Sequence, residues 1–168
     1  MISALLFARL LTIFASLPAA GPELPATRGE NLNGQQIEFP AVLRDKLSVC
    51  VFGFNKTAGD RAKTWMTRLE KEGIEAWSVV DLESAPSFVR GMIKSSMRKG
   101  TSESLRARSL VLTKDEKAWK QALDLRQPEL PVVAVFDASG EIAWAYEGIV
   151  SDDVFARLKA KLDALQVH

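Results

Sequence analysis

Short apolar runs alternate along this chain with longer segments in which apolar residues recur every three or four positions. That alternation predicts the elements. Leu47–Phe54 (LSVCVFGF) is a compact run with β-branched and aromatic members, the pattern of a strand buried on both faces. Next, Ala62, Trp65, Met66 and Leu69 fall at i, i+3, i+4 and i+7, one face of a helix that Thr57 or Asp60 caps and Gly73 stops. Ile74–Leu82 is a second strand. Pro86–Lys99 is a helix with Val89, Met92, Ile93 and Met97 inward and Arg90, Lys94 and Arg98 outward. Ser109–Thr113 is a short strand and Asp115–Leu123 a helix. Val132–Asp137 and Glu141–Tyr146 are strands joined through Ala138-Ser139-Gly140. Ser151 caps a last helix, with Asp152 and Asp153 in its first turn and Phe155, Leu158, Leu162 and Leu165 as its apolar stripe.

Upstream, Asn33-Gly34 marks a hairpin within Asn31–Pro40, and residues 21–30 (GPELPATRGE) read as an extended lead-in. The order is hairpin, β, α, β, α, β, α, β-hairpin, α. Strands alternating with helices imply right-handed crossovers and an α/β fold, a mixed sheet covered on both faces. One domain is expected from residue 31 to 168, since 168 residues suffice for a single core.

The first twenty residues stand outside that pattern. Arg9 precedes an apolar run, Leu10–Leu17, and then Pro18-Ala19-Ala20, which describes a secretory signal peptide; an uncleaved N-terminal anchor is the alternative. Export to a periplasmic or extracellular location is therefore expected. Losing this segment with Arg9 leaves 21 basic side chains against 21 acidic ones. A chain without net charge has no general attraction for polyanions, so nucleic acid is not expected as a partner.

Composition narrows the chemistry further. The chain has one Cys and one His. One Cys permits no intramolecular disulfide, dithiol couple or thiolate zinc site, and the one His is the terminal residue, His168. No metal and no cofactor are expected. Cys50 sits inside the apolar strand, where a thiol is inert core. Trp65, Trp77, Trp119 and Trp144 lie in periodic segments and read as packing. Asp81, Glu83, Asp115 and Glu116 read as scattered acids with no pairing for acid–base work.

Three signatures give this order a family resemblance: Asn31-Leu32-Asn33-Gly34 before a strand, the strand-to-helix junction at Phe54, and the run from Leu130-Pro131 through Asp137-Ala138-Ser139-Gly140 to Ile142, with Gly148 beyond. Over roughly residues 28–166 the chain resembles the thioredoxin-like superfamily, particularly its exported members and the related peroxiredoxins. The resemblance implies a three-layer α/β/α sandwich with a mixed sheet and an N-terminal β-hairpin, and a cis-proline at Pro131. Oxidoreductases of that superfamily carry Cys-x-x-Cys where the first core strand meets its helix, because the helix N-terminus stabilises a thiolate. Here that window holds Thr57-Ala58-Gly59-Asp60, without a Cys. The segment Ile142-Ala143-Trp144-Ala145-x-x-Gly148 is similar to the end of the thioredoxin-like ATP synthase assembly factors, which also lack the pair.

The resemblance implies a redox-inactive binding or assembly module. Its candidate surface is Asn55, Lys56, Thr57, Asp60 and Pro131, where a cis-proline leaves backbone free to pair with an extended peptide of a protein partner. Thr57 and Asp60 also have a purely local reading as helix caps. Two alternatives stand beside the module: an oxidoreductase or antioxidant protein of non-standard chemistry, which requires an exposed Cys50, and a small-ligand or membrane-surface protein. The last rests on residues 86–108, which carry a net charge of +5, with Arg90, Lys94 and Arg98 as one helical stripe facing solvent or anionic headgroups.

Overall fold

The computed structural model describes residues 24–166, so the expected signal peptide over residues 1–20 lies outside the described residues. The elements are β1 (Thr27–Asn31), β2 (Gln36–Phe39), a 3-10 turn (Ala41–Leu43), β3 (Ser48–Gly53), α1 (Lys56–Lys71), β4 (Ala76–Asp81), α2 (Ser87–Gly100), α3 (Glu103–Arg106), β5 (Ser109–Leu112), α4 (Glu116–Ala122), β6 (Val132–Phe136), β7 (Ile142–Glu147) and α5 (Asp152–Gln166). They form one seven-stranded mixed sheet in the order β2-β1-β5-β4-β3-β6-β7. β3, β4 and β5 run parallel, as crossover connections require, while β6 and β7 are antiparallel additions.

β3 lies near the middle of the sheet and is buried along its whole length, as its unbroken apolar run predicts. Its alternate residues feed two cores. Val49 and Val51, with Val133 and Val135 of β6, meet Ala62, Trp65 and Leu69 of α1 and Phe155, Leu158 and Leu162 of α5. Cys50 and Phe52, with Ala134 and Phe136, meet Leu43 of the 3-10 turn, Trp119 of α4 and Leu123 just beyond it. These are the three layers the sequence implies.

Four details depart from the expectations. β1 begins at Thr27, inside the stretch read as a lead-in. Its sequence TRGEN has no apolar alternation, and it becomes a strand by pairing with β2 on one side and β5 on the other. The β1–β2 hairpin does carry a positive φ at Gly34, but its turn is organised by buried Asn31, whose Oδ1 accepts from the backbone of Asn33 and Gln35 at 3.0 and 2.9 Å. Met92, expected inward, is 72% exposed, and Phe88 one turn earlier is 84% exposed. The reason is the thin contact of α2 with the sheet: Ile93 and Met97 pack against Leu32, Leu82 and Val111, and no residue of α2 is fully buried. The fourth is α3, a single turn that no apolar period announces.

A close backbone-to-backbone approach lies where β3 turns into α1. A Cβ added to Gly53 would stand 2.9 Å from both Cα and N of Gly59, so the helix approaches this strand as closely as backbones allow. A Cβ on Gly59 would meet nothing within 4 Å. The two glycines therefore have opposite expected behaviour. Gly53→Ala lowers the unfolding free energy by about 1–3 kcal/mol through overpacking. Gly59→Ala raises it by about 0.5–1 kcal/mol through helix propensity. Urea denaturation of the two variants measures both.

Candidate functional site

The junction after Phe54 is where the resemblance places its functional surface. Asn55 is the helix cap: its backbone is extended, and its side-chain Oδ1 accepts from Ala58 N at 2.8 Å. Thr57 and Asp60, expected as caps, lie inside the first turns of α1 and are exposed. The helix already begins at Lys56, so the residue with extended backbone and a side-chain carbonyl oxygen at its start is Asn55. Asn55 also acts outward, since its Nδ2 donates to Pro128 O at 2.8 Å. Arg61 Nη1 donates to Glu129 O at 3.0 Å, a second tie between α1 and the loop before β6.

Charge at the junction is arranged around Asp60. Lys56 and Lys63 each reach its carboxylate at 2.7 Å, and these two hydrogen-bonded ammonium groups lower its pKa to about 2. Asp60 is thus held as an anion between two cations.

Pro131 differs from the resemblance's implication. The Leu130–Pro131 bond is trans; among the described residues the cis peptide is Phe39–Pro40. Pro131 is buried, and its carbonyl accepts from Gly148 N at 3.0 Å. With the carbonyls of Pro128 and Glu129 already held by Asn55 and Arg61, three acceptors of this loop are used internally. Pairing of an extended peptide to the Pro131 backbone is therefore not what this loop offers. What it does offer is a knitted surface: Trp65 of α1 donates from Nε1 to Gly148 O at 2.9 Å, so three segments meet there. The next residue, Ile149, is 60% exposed. Its exposure was invisible in sequence, where Ile149 sits in no periodic segment.

Cys50 stands in β3 between Val49 and Val51, fully buried. Burial pushes its pKa well up, and the nearby Lys46 charge opposes this only in part. The alternative that needs an exposed, acidic thiol has no geometric basis here.

The expected basic stripe on α2 is also rearranged. Arg90 turns back on its own helix start, donating to Ala85 O at 2.9 Å and to Glu83 O at 2.7 Å. Lys94 is half-buried and pairs with Glu30 at 2.9 Å. Arg98 alone of the three is exposed, with its carbonyl accepting from Arg106 Nε at 3.2 Å. Long cations at the edge of a thin interface satisfy nearby carbonyls and carboxylates before they satisfy solvent.

The acids read as scattered do gather. Asp81 at the end of β4, Glu83 two residues on and Glu116 at the start of α4 each bring a carboxylate oxygen within 4.8 Å of the others. Asp81 is 3% exposed, and its pKa rises to about 7. Desolvation is the main cause and the two glutamate charges add to it, while a hydrogen bond from Glu83 N opposes. Sequence separation of 35 residues between Asp81 and Glu116 hid this cluster, because only the parallel β4–β5 pairing brings the two ends together. These oxygens are the group among the described residues able to hold a metal ion. Asp115 belongs elsewhere: it accepts from Thr27 Oγ1 at 2.7 Å, and Thr27 in turn accepts from Trp119 Nε1 at 3.0 Å, tying α4 to β1.

No family profile and no curated protein matches the chain by sequence. Solved structures do match by shape. One is BsSco, a member of the Sco family of cytochrome c oxidase assembly proteins, with a TM-score of 0.55 and 12% identity over 84% of this chain and 94% of that one. Another is an exposed lipoprotein thioredoxin from Streptococcus pneumoniae, with a TM-score of 0.53 and 15% identity over 79% and 97%. A third is a thio-disulfide isomerase from Thermus thermophilus, with a TM-score of 0.52 and 16% identity over 84% and 95%.

The burial of Cys50 has a direct readout. Iodoacetamide at neutral pH leaves the native chain unmodified over the time in which it fully alkylates the urea-unfolded chain. Mass spectrometry of the two samples checks it, and rapid labelling of the native form would restore the thiol alternative.

Proposed function

We propose that this chain, a thioredoxin-like fold with its one thiol sealed in the central strand, works as an exported, redox-inactive module that binds a protein partner. The observation that carries this reading is the knitted surface at the junction. Where the superfamily's dithiol enzymes hold reactive cysteines, Asn55, Arg61 and Trp65 instead staple the helix start, the loop before β6 and Gly148 into one face. Rigid loops lower the entropy cost of docking. Exposed Ile149 supplies apolar contact area, and Lys56, Thr57 and Asp60 at the helix start supply polar groups. Recognition then runs through side chains rather than through strand pairing at Pro131. The likeness to a cytochrome c oxidase assembly protein supports an assembly role for the module, and the likeness to an exposed lipoprotein thioredoxin supports export.

A photo-crosslinking residue placed at Thr57, Ile149 or, as a remote control, Asp163 on α5 tests this in extracts of the native cell envelope. The expected result is one shared protein adduct from Thr57 and Ile149 and none from Asp163, with the Thr57 adduct lost on Ile149→Asp. Equal adducts at all three positions, or none at the first two, overturn the reading.

A second reading is favoured by α2. Phe88, Met92 and Lys99 fall on one exposed line of this helix, with Arg98 beside them. An amphipathic surface of two large apolar side chains and two cations suits the headgroup region of an anionic membrane. Cosedimentation with phosphatidylglycerol vesicles is expected at low salt, weakened by added salt and lost in the double variant Phe88→Ser, Met92→Ser. Failure to sediment at low salt removes this reading.

A further inference from the structure

We propose that Asp81, Glu83 and Glu116 form a binding site for a hard divalent cation of calcium's size. The site lies outside the docking face and needs none of its residues.

Asp81 supplies the main reason. Its Oδ1 accepts from Glu83 N at 2.7 Å, but its Oδ2 is buried with no hydrogen-bond partner. A buried carboxylate oxygen without a donor is an unbalanced group, and native folds balance such groups with a proton, a water or a cation. Here two further carboxylates stand beside it, where a further donor would be expected if the cluster were merely structural. Each is aimed by one of its own oxygens: Glu83 Oε2 accepts from Glu116 N at 2.7 Å, and Glu116 Oε1 accepts from Lys120 Nζ. The three are thus held together by the fold rather than meeting as loose surface acids.

The donor set selects the ion. All three ligands are carboxylates, which suit hard cations and not soft ones. Oxygens within 4.8 Å of one another surround an ion at calcium's contact distances of ~2.3–2.6 Å with little side-chain movement. Magnesium, at ~2.0–2.1 Å with near-octahedral demands, requires the three to close further. The adjoining open cleft of about 480 Å³, lined by Glu83, Ser84, Glu116, Lys117 and Lys120, leaves room for the waters that complete the shell.

Lys120 is the resident counter-charge. It pairs with Glu116 and lies 5.7 Å above the ring of Phe54. One ammonium offsets one of three carboxylates, so an incoming ion competes with it for Glu116. This gives substitutions of opposite sign.

Calorimetric titration of the chelator-treated full chain with calcium chloride, beside thermal melting with and without the ion, tests the site. One calcium ion per chain is expected, bound more tightly than magnesium, with a rise in melting temperature. Asp81→Asn weakens binding by at least about tenfold, the loss that changing even an outer partner of a metal ligand causes. It also abolishes the calcium-induced rise while melting no lower than the parent in chelator, because it removes a buried charge. Lys120→Gln tightens binding, and Glu75→Gln, an exposed acid outside the cluster, leaves it unchanged. Calcium binding that is absent, undiminished by Asp81→Asn, weakened by Lys120→Gln or no tighter than magnesium binding overturns the proposal.

Discussion

The close approach of β3 and α1 at Gly53 is the constraint on which the rest of this structure depends. With no Cβ between the strand and Gly59, the helix starts hard against the sheet. From that position Asn55 reaches both the first-turn amide and Pro128 O, and Arg61 reaches Glu129 O. Further along the same helix, Trp65 lies flat in the core with its indole nitrogen on Gly148 O. One missing methyl group therefore lets this helix tie down two loops, the one before β6 and the one at Gly148. A helix displaced outward by an ångström would keep its apolar face against Val49 and Val51 but lose these long-range polar ties, whose geometry tolerates less error than apolar packing does.

The same packing sets the chemistry of the helix start. Dithiol chemistry uses the positive end of a helix to stabilise a thiolate. Here that end is satisfied by an amide side chain, and the one thiol lies on the opposite face of the sheet from α1, among Phe52, Phe136 and Trp119. The charges nearest the helix start are committed to one another, Asp60 between Lys56 and Lys63. What remains exposed near the helix start is polar side chains and the apolar area of Ile149. Charge elsewhere follows the same economy: Arg90 and Lys94 close local carbonyl and carboxylate groups. Two buried side-chain atoms among the described residues lack a hydrogen-bond partner, Asp81 Oδ2 and Arg108 Nε, and of the two only Asp81 has further carboxylates gathered beside it.

Much of the fold was legible because its signals are local. An unbroken apolar run can only be a doubly buried strand or a buried helix, and the eight residues of Leu47–Phe54 are too short for the latter. The stripes Ala62-Trp65-Leu69 and Phe155-Leu158-Leu162 fix two helices and the face each buries, and Ser151 caps the second as its sequence suggests, accepting from Val154 N at 3.3 Å. The burial of Cys50 was likewise readable from its neighbours in the run. The less legible parts share a physical cause. β1 is polar and becomes a strand only between two partners; α2 has a helical period but too little sheet beneath it to bury Met92.

By itself the sequence determined the order of the main strands and helices, their apolar stripes and the count of one cysteine, since periodicity and residue counts are properties of the chain alone. Tertiary structure decided everything that depends on residues far apart in sequence. It moved the cap from Thr57 or Asp60 to Asn55, closed the Pro131 loop, turned Arg90 and Lys94 inward and left Ile149 facing out. It also gathered Asp81, Glu83 and Glu116 at one end of the parallel strands. Side chains acquire partners only when strands are placed in register, and no pattern along the chain specifies which long-range neighbour a polar atom will meet.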